Sequence, residues 1–365
     1  MIKKFPKEWP WKTPPVGVYF NMSFDEYLKI PCLNASGIKE LNISETDFWA
    51  RCHWMNPDYD DLDDDSKAKI EGRAYHKRIL EGRESFFSEY ALEYEDNGSP
   101  MILRSAKEIK EKLDRIGIKS LSNKTIDELT PICAKFLPQY KILHNLKEQY
   151  KKDAGVKELI TPKMMRHIEF AAKMIELHPD TREYFAGGYP EVTVIFDAFG
   201  CRFKIRFDYL KVWDASDLKT FANVMRSELK KAVNKAFSNN KYHIQGTLYL
   251  IGLDIAKKYA AMGNVYQFED VEPDSEKRKR WLDVFSKNPC DELKYAFMQK
   301  GVAPATIPKV FHRKDKAFEQ GFEVICNGVD KFKNAYVAYG EGYWITSIRE
   351  EIIHYDELPS YINDI

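Results

Sequence analysis

Between residues 190 and 221 the apolar residues of this chain change period, from helical spacing to strict alternation. That switch constrains the fold more than any other feature. The runs "EVTVIFD", "CRFKIRFDYLK" and "VWDASDLKT" alternate as half-buried strands do, and "AFG" between the first two suits a tight turn. The spacing predicts a three-stranded meander. From Lys67 to about His178 apolar residues recur at three and four, which predicts a mostly helical stretch. After the meander, helices are expected at about 223–238 and 242–260, then a strand over "NVYQFEDV". In the second of these helices Ile244, Leu248, Ile251 and Ile255 form a core stripe.

Composition narrows the class. The chain has 365 residues, 44% apolar and 31% charged, as soluble globular proteins do, and is long enough for two domains or for one with a large addition. No apolar run approaches the ~18 residues of a membrane span. The start, "MIKKFPKEWPWKTPP", lacks the apolar core of a signal peptide. The six cysteines are scattered without a C-x-x-C pair, which argues against a zinc knuckle or a disulfide framework and suits a reducing cytoplasm. Net charge is zero, so a nucleic-acid partner would need a local basic patch. The runs "ELKKAVNKAF" and "EKRKRW" fit either phosphate contacts or solvated helix faces. Near the N-terminus "NASGIKEL" reads as a short helix with Ser36 as a candidate N-cap. The acidic run Asp58 to Ser66 lacks the glycine and terminal glutamate of a calcium loop and reads as a solvated loop leading into a helix.

The chemistry concentrates in "FKIRFDYLKVWDASDLKT". Alternation sends Phe203, Ile205, Phe207 and Tyr209 to one face of a strand and Lys204, Arg206 and Asp208 to the other. Asp217 and Lys219 share a face of the next strand, so pairing brings Asp208 toward Asp217. Neighbouring carboxylates both stay ionised only with a cation between them. Carboxylate, carbonyl and water are the ligands of Mg²⁺ or Mn²⁺, and a lysine beside the ion can orient an attacking water. The same residues also fit a polar sheet face with an ordinary salt bridge. Gln245 and Tyr249 lie at i and i+4 on the following helix and suit either a phosphate backbone or a plain polar face. In "KIEGRAYHKRILEG", Gly72 and His76 share a helix face. The glycine costs about 1 kcal/mol there, which close packing would explain, and the histidine is either structural or a metal ligand.

The order G-x-x-x-H, D, D-x-K, Q-x-x-x-Y resembles the RecB-like branch of the PD-(D/E)xK nuclease superfamily, and within it the RecE-type exonucleases (the exodeoxyribonuclease VIII family). The likeness runs from "GVYFNMSFDEYLKIPCLNASGIKEL" through "GRAYHKRILEG", "ELHPDTREYFAGGYPEVTV", "RFDYL" and "DLKT" to "YHIQGTLY", roughly residues 17 to 273. It implies an α/β (α+β) fold, a restriction-endonuclease-like core with a central mixed sheet flanked by helices. An exonuclease domain over 1–273, with a helical insert at about 104–157, would precede a C-terminal extension over 274–365, including "GYWITSIREEI", as a DNA-end or partner-binding addition or a structural cap.

The resemblance also implies roles. His76, Asp208, Asp217 and the Leu218 carbonyl would bind Mg²⁺ or Mn²⁺. Lys219 would position or activate water, and Gln245 and Tyr249 would orient Lys219 or the scissile strand. Glu191 would lie near the metal, and Ser36 would contact the end phosphate. The activity implied is digestion of linear duplex DNA from the 5′ end, leaving a 3′ single strand for an annealing protein, by a homo-oligomeric ring (trimer or tetramer). Iron–sulfur relatives need three clustered cysteines after the nuclease motifs. Here only Cys290 and Cys326 follow, so no cluster is expected. A nuclease acting on single strands or flaps, or a non-catalytic DNA-binding relative, are the alternatives.

Overall fold

The computed structural model of the chain describes residues 4–59 and 67–346. Most of the acidic run lies outside them, as does the chain after Thr346. Seven strands form one mixed sheet: β1 (Gly17–Tyr19), β2 (Tyr189–Ala198), β3 (Cys201–Leu210), β4 (Ala215–Phe221), β5 (Val265–Tyr266), β6 (Glu292–Gln299) and β7 (Thr306–His312). Their spatial order is β7-β6-β4-β3-β2-β1-β5. The helices that matter for the site are α1 (Phe24–Lys29), α2 (Ala35–Leu41), α3 (Lys67–Leu80), α4 (Pro162–Leu177), α5 (Leu229–Asn239), α6 (Tyr242–Met262), α7 (Ser275–Lys287) and α8 (Lys316–Tyr339).

The meander β2-β3-β4 forms as the alternation requires. Phe199 and Gly200 make the first turn with φ of 51° and 68°, the left-handed pair that a two-residue hairpin of this twist needs. Val192, Val194, Phe196, Phe203, Ile205 and Phe207 are buried in the main core, together with Leu248, Leu253 and Ala256 of α6. Burying each larger side chain is worth about 1.5–3 kcal/mol. The opposite face, including Leu218 of β4 and Ala296 and Met298 of β6, packs against α3 and α4 through Tyr75, Met165 and Ile168. The expected insert is helical and has a small core of its own, built on Ile109, Leu113, Leu129 and Cys133.

Four expectations are corrected. The residues after 273 are no appendage: β6 lies beside β4 in parallel, with Asp217 opposite Tyr295 and Lys219 opposite Phe297, and β7 pairs with β6. The helix expected from 223 begins only at Leu229, after a loop in which Arg226 takes a φ of 47°. The strand read over "NVYQFEDV" is two residues long, because Gln267 turns left-handed and starts a short helix, Phe268–Val271. Helix α6 is buried on most sides, so its core is wider than one stripe, while Ile251 and Ile255 are only partly buried.

The polar face of β3 is also not open to water. Lys204 is buried, and its ammonium donates to the carbonyls of Tyr27, Leu28 and Ile30 at 2.7, 2.9 and 2.8 Å, tying down the end of α1. Arg206 donates to the Met22 carbonyl at 2.8 Å. Polar periodicity marked the face correctly, but the N-terminal segment covers it.

Helix α8 meets α6 at Gly321, where an added Cβ would sit 2.3 Å from Thr247 Oγ1 and 2.8 Å from the His243 carbonyl oxygen. Alanine gains about 1 kcal/mol of helix propensity, but overpacking against main chain costs about 1–3 kcal/mol. Gly321→Ala should therefore lower the urea midpoint. An unchanged or raised midpoint would mean that α8 is not docked on α6 as described.

Candidate active site

The site begins where two strands part. β3 and β4 pair only at Leu210 with Ala215 and Tyr209 with Ser216. The next pair in that register would be Asp208 with Asp217. Instead, the Asp208 carboxylate reaches across and accepts the Leu218 N–H at 2.7 Å. The freed edge of β3 is taken by Leu33, whose N–H donates to the Arg202 carbonyl at 3.0 Å and whose carbonyl accepts the Lys204 N–H at 2.8 Å. Buried main-chain groups must find partners. Here a side chain and the N-terminal segment supply what β4 would otherwise give.

Helix α3 contributes His76 at the same point. Its Nε2 lies 2.7 Å from the Leu218 carbonyl and 3.5 Å from Asp208 Oδ2, and its Nδ1 lies 2.9 Å from the Gly72 carbonyl. Both ring nitrogens face acceptors, so both carry protons and the ring is an imidazolium. Burial works against that charge, but the hydrogen bond and charge of Asp208 and the Gly72 carbonyl outweigh it and push the His76 pKa up to about 9. Burial would raise Asp208 too. The histidine, Lys219 and the Leu218 N–H together hold it below the ordinary carboxylate range. Gly72 has no packing role: an added Cβ would meet nothing within 4 Å. The expected close approach at Gly72 is therefore corrected.

Beside this group, buried Asp217 forms an ion pair of 2.5 Å with Lys219 and accepts from Gln245 Nε2 at 2.9 Å. Burial first, and then the charge of Asp208, push the Asp217 carboxyl up to about 7. The two carboxylates raise Lys219 against the effect of burial. Tyr242, absent from the sequence reading, lies at the start of α6 with its ring 4.9 Å from Lys219 Nζ. One turn later Gln245 also faces the site.

The remaining expected residues are placed differently. Tyr249 is buried, and its hydroxyl donates to the Arg206 carbonyl at 2.7 Å, so it anchors β3 rather than Lys219. Gln245 touches Asp217 instead of the lysine. Glu191 falls opposite Asp208 in the β2–β3 register, has a φ of 56° and is paired with Arg206. Burial and Asp208 raise its carboxyl. Ser36 is exposed on α2 and is not the N-cap. Asn34 is, accepting the Gly37 N–H at 2.8 Å.

Among the described residues, no three His, Cys, Asp or Glu side chains gather closely enough to hold a metal by themselves. The donors that do converge are of mixed kind. The Asp208 carboxylate and the Leu218 carbonyl meet at one cationic position, now taken by the His76 Nε2–H. Hard oxygen donors around a point of positive charge suit a divalent cation, so this donor set fits one. Asp217 stands one residue away with its charge matched by Lys219.

The mixed sheet, the parted strands and the D…D-x-K set on β3 and β4 define a PD-(D/E)xK-type nuclease core. The chain belongs to the family described as PDDEXK-like domain of unknown function (DUF3799), whose model matches residues 35–268. That span holds every expected site residue but stops short of β6, β7 and α8. Domains of this type generally use divalent metal. A crystal structure of a protein from Eubacterium rectale, provisionally described as an exonuclease, is similar over 80% of this chain and 95% of that one, at 14% identity and a TM-score of 0.33. That score is too low to bear on function. Comparison with curated proteins finds no match. Among the described residues no helix is long and apolar enough to cross a membrane.

The imidazolium gives a direct test. Its folded pKa of about 9 lies above the unfolded value of about 6.5. The stability it adds is complete below pH ~6.5 and is lost as pH rises through about 9. In metal-free protein the His76 ring should titrate by NMR near pH 9, and in Asp208→Asn markedly lower. A wild-type midpoint near 6.5 would show that the ring is not held as a cation.

Proposed function

We propose that the chain is a Mg²⁺-dependent deoxyribonuclease of the RecE type, with Mn²⁺ as a substitute. In this reading it digests linear duplex DNA from the 5′ end and leaves 3′ single strands for an annealing protein. The observation that carries the reading is the meeting of Asp208, the Leu218 carbonyl and His76 Nε2 at one point, with the Asp217–Lys219 pair beside it. Asp208, Asp217, the Leu218 carbonyl and neutral His76 would hold the ion. When bound, it supplies charge to stabilise the phosphorane-like transition state and lowers the pKa of bound water.

The chain's own residues do the rest. With Asp217 engaged as a ligand, the Lys219 ammonium, now in a 2.5 Å pair with it, would be free to donate to the attacking water or to a phosphate oxygen. Gln245 holds the second oxygen of Asp217 and so fixes the plane of that carboxylate. His76 must give up its Nε2 proton before it can ligate, which makes metal affinity rise with pH toward about 9. Glu191, paired with Arg206, would act from behind Asp208, and Ser36 would reach an end phosphate from α2.

End-labelled linear duplex should be digested with Mg²⁺ and left intact with EDTA. Asp208→Asn, Asp217→Asn and Lys219→Ala should each lower the rate by about 10²–10⁴-fold, and each should also lower the thermal midpoint by stranding a partner charge, so rates are compared at a temperature where circular dichroism shows the variant folded. Wild-type rates in either aspartate variant would sink the site assignment. Cleavage confined to single strands or flaps would move the chain to that substrate class, and tight DNA binding without cleavage to a non-catalytic role.

In the same reading subunits join head to tail in a closed ring, a trimer or tetramer, around the DNA. A ring lets a chain of zero net charge stay on its substrate, because topology replaces much of the electrostatic grip. Light scattering should give three or four subunits, with long digestion tracts in the presence of a DNA trap. A monomer that releases DNA after a few nucleotides would exclude the ring.

A further inference from the structure

Helix α2 is fixed against the site by the Leu33 bridge to β3 and the Asn34 cap. One turn in, it carries Lys39. This ammonium is half-buried, donates to the Asn240 carbonyl at 2.6 Å and lies 5.4 Å from the centre of the Tyr242 ring. The same ring lies 4.9 Å from the ammonium of Lys219. Lys39 has no ion-pair partner among the described residues, whereas Lys219 is paired with Asp217. Lys241, exposed and likewise without an ion-pair partner among the described residues, stands next to Tyr242 in a left-handed backbone conformation with φ of 50°. A half-buried, unmatched ammonium near that of Lys219 is unfavourable in the free protein. An anion bound next to the reacting centre would relieve it.

We propose that Lys39, with Lys241 beside it, binds a backbone phosphate of the nucleic-acid strand being cut, next to the phosphate that faces Lys219. This rests on the nuclease reading. The phosphate is either a terminal monoester or an internal diester, which share the same non-bridging oxygens. Both ammoniums lie near the Tyr242 ring; Lys219 meets the scissile phosphate and Lys39 its neighbour. Burial and Lys219 depress the Lys39 pKa to about 8, the direction expected of a cation that lacks its counter-charge, and a bound phosphate would reverse it.

The test is binding of a fluorescein-labelled duplex to the full chain in EDTA, read by anisotropy over a salt series, with Lys39→Ala, Lys39→Gln and Lys39→Arg. One lost phosphate contact should weaken binding about tenfold and flatten the slope of log K against log salt by about 0.7–0.9. Lys39→Arg should retain the native slope, and in Mg²⁺ the neutral variants should raise KM more than they lower kcat. Lys39→Gln keeps most of the side chain without its charge and serves if the alanine variant is unstable. Comparing 5′-phosphate with 5′-hydroxyl ends assigns the source. A loss confined to phosphorylated ends indicates the monoester, and an equal loss on both indicates the diester. Native affinity and slope in the neutral variants, with a native chain that cuts DNA, would overturn this inference alone. A native chain that neither binds nor cuts DNA would overturn the nuclease reading as well.

Discussion

The structure around the site depends on how one residue's backbone is satisfied. Leu218 lies on β4 just past the last pairs with β3, so its N–H and carbonyl face a gap rather than a ladder. The N–H goes to Asp208 and the carbonyl to His76. Neither could be left unpaired in a buried position without a cost of about 1–3 kcal/mol. The same two bonds that close the gap therefore bring a carboxylate, a carbonyl and an imidazole to a single point. β4 stays in place despite this because its other edge pairs along its length with β6. The strands beyond residue 273 thus hold the site rigid from the far side, which explains why they belong to the sheet although the family match ends at Phe268.

Charge balance follows from that geometry. Asp208 is matched by the His76 imidazolium and Asp217 by Lys219, so the metal-free site is two ion pairs packed side by side. Breaking a buried pair by removing one partner is costly, because it strands the other charge. In the proposed reading, Asp208, Asp217, the Leu218 carbonyl and neutral His76 would hold a divalent ion, whose charge would take the place of the His76 proton and of the Lys219 pairing.

Legibility in the sequence varied with how local the signal was. The alternation of "FKIRFDYL" and the spacing of Asp217 and Lys219 are properties of single strands, and the meander they indicate is present. Asp208 was correctly placed beside the second strand, but the parting of the strands was invisible, because nothing in either segment marks where pairing stops. β6 was missed because "ELKYAFMQ" is buried on both faces and its partner is β4, far back in the chain, through a parallel crossover. Lys39 and Tyr242 are illegible for a different reason: each is ordinary in its own helix, and long-range packing brings α2 to the start of α6. The place of Tyr249 in Q-x-x-x-Y is legible; the bond of its hydroxyl to the Arg206 carbonyl, forty-three residues back, is not.

That bond of Tyr249 belongs to a layer behind Asp208. Register puts Glu191 directly across from Asp208, where a third carboxylate would sit against two others. Glu191 stays near enough for the Asp208 charge to raise its carboxyl, and it takes a left-handed conformation, which costs on the order of 1–3 kcal/mol for a residue with a side chain. It persists because Arg206 takes the Glu191 carboxylate. Arg206 is itself fixed: its side chain donates to the Met22 carbonyl at 2.8 Å and to Thr193 Oγ1 at 3.1 Å, and its carbonyl accepts from Tyr249 at 2.7 Å. The N-terminal segment and β2 thus hold the guanidinium of Arg206, and α6 holds its main chain. With Arg206 removed, the Glu191 charge would be unpaired beside Asp208, and repulsion between them would raise both carboxyl pKa values. The strained glutamate and the buried tyrosine are therefore held through the same arginine, two residues from Asp208 on β3.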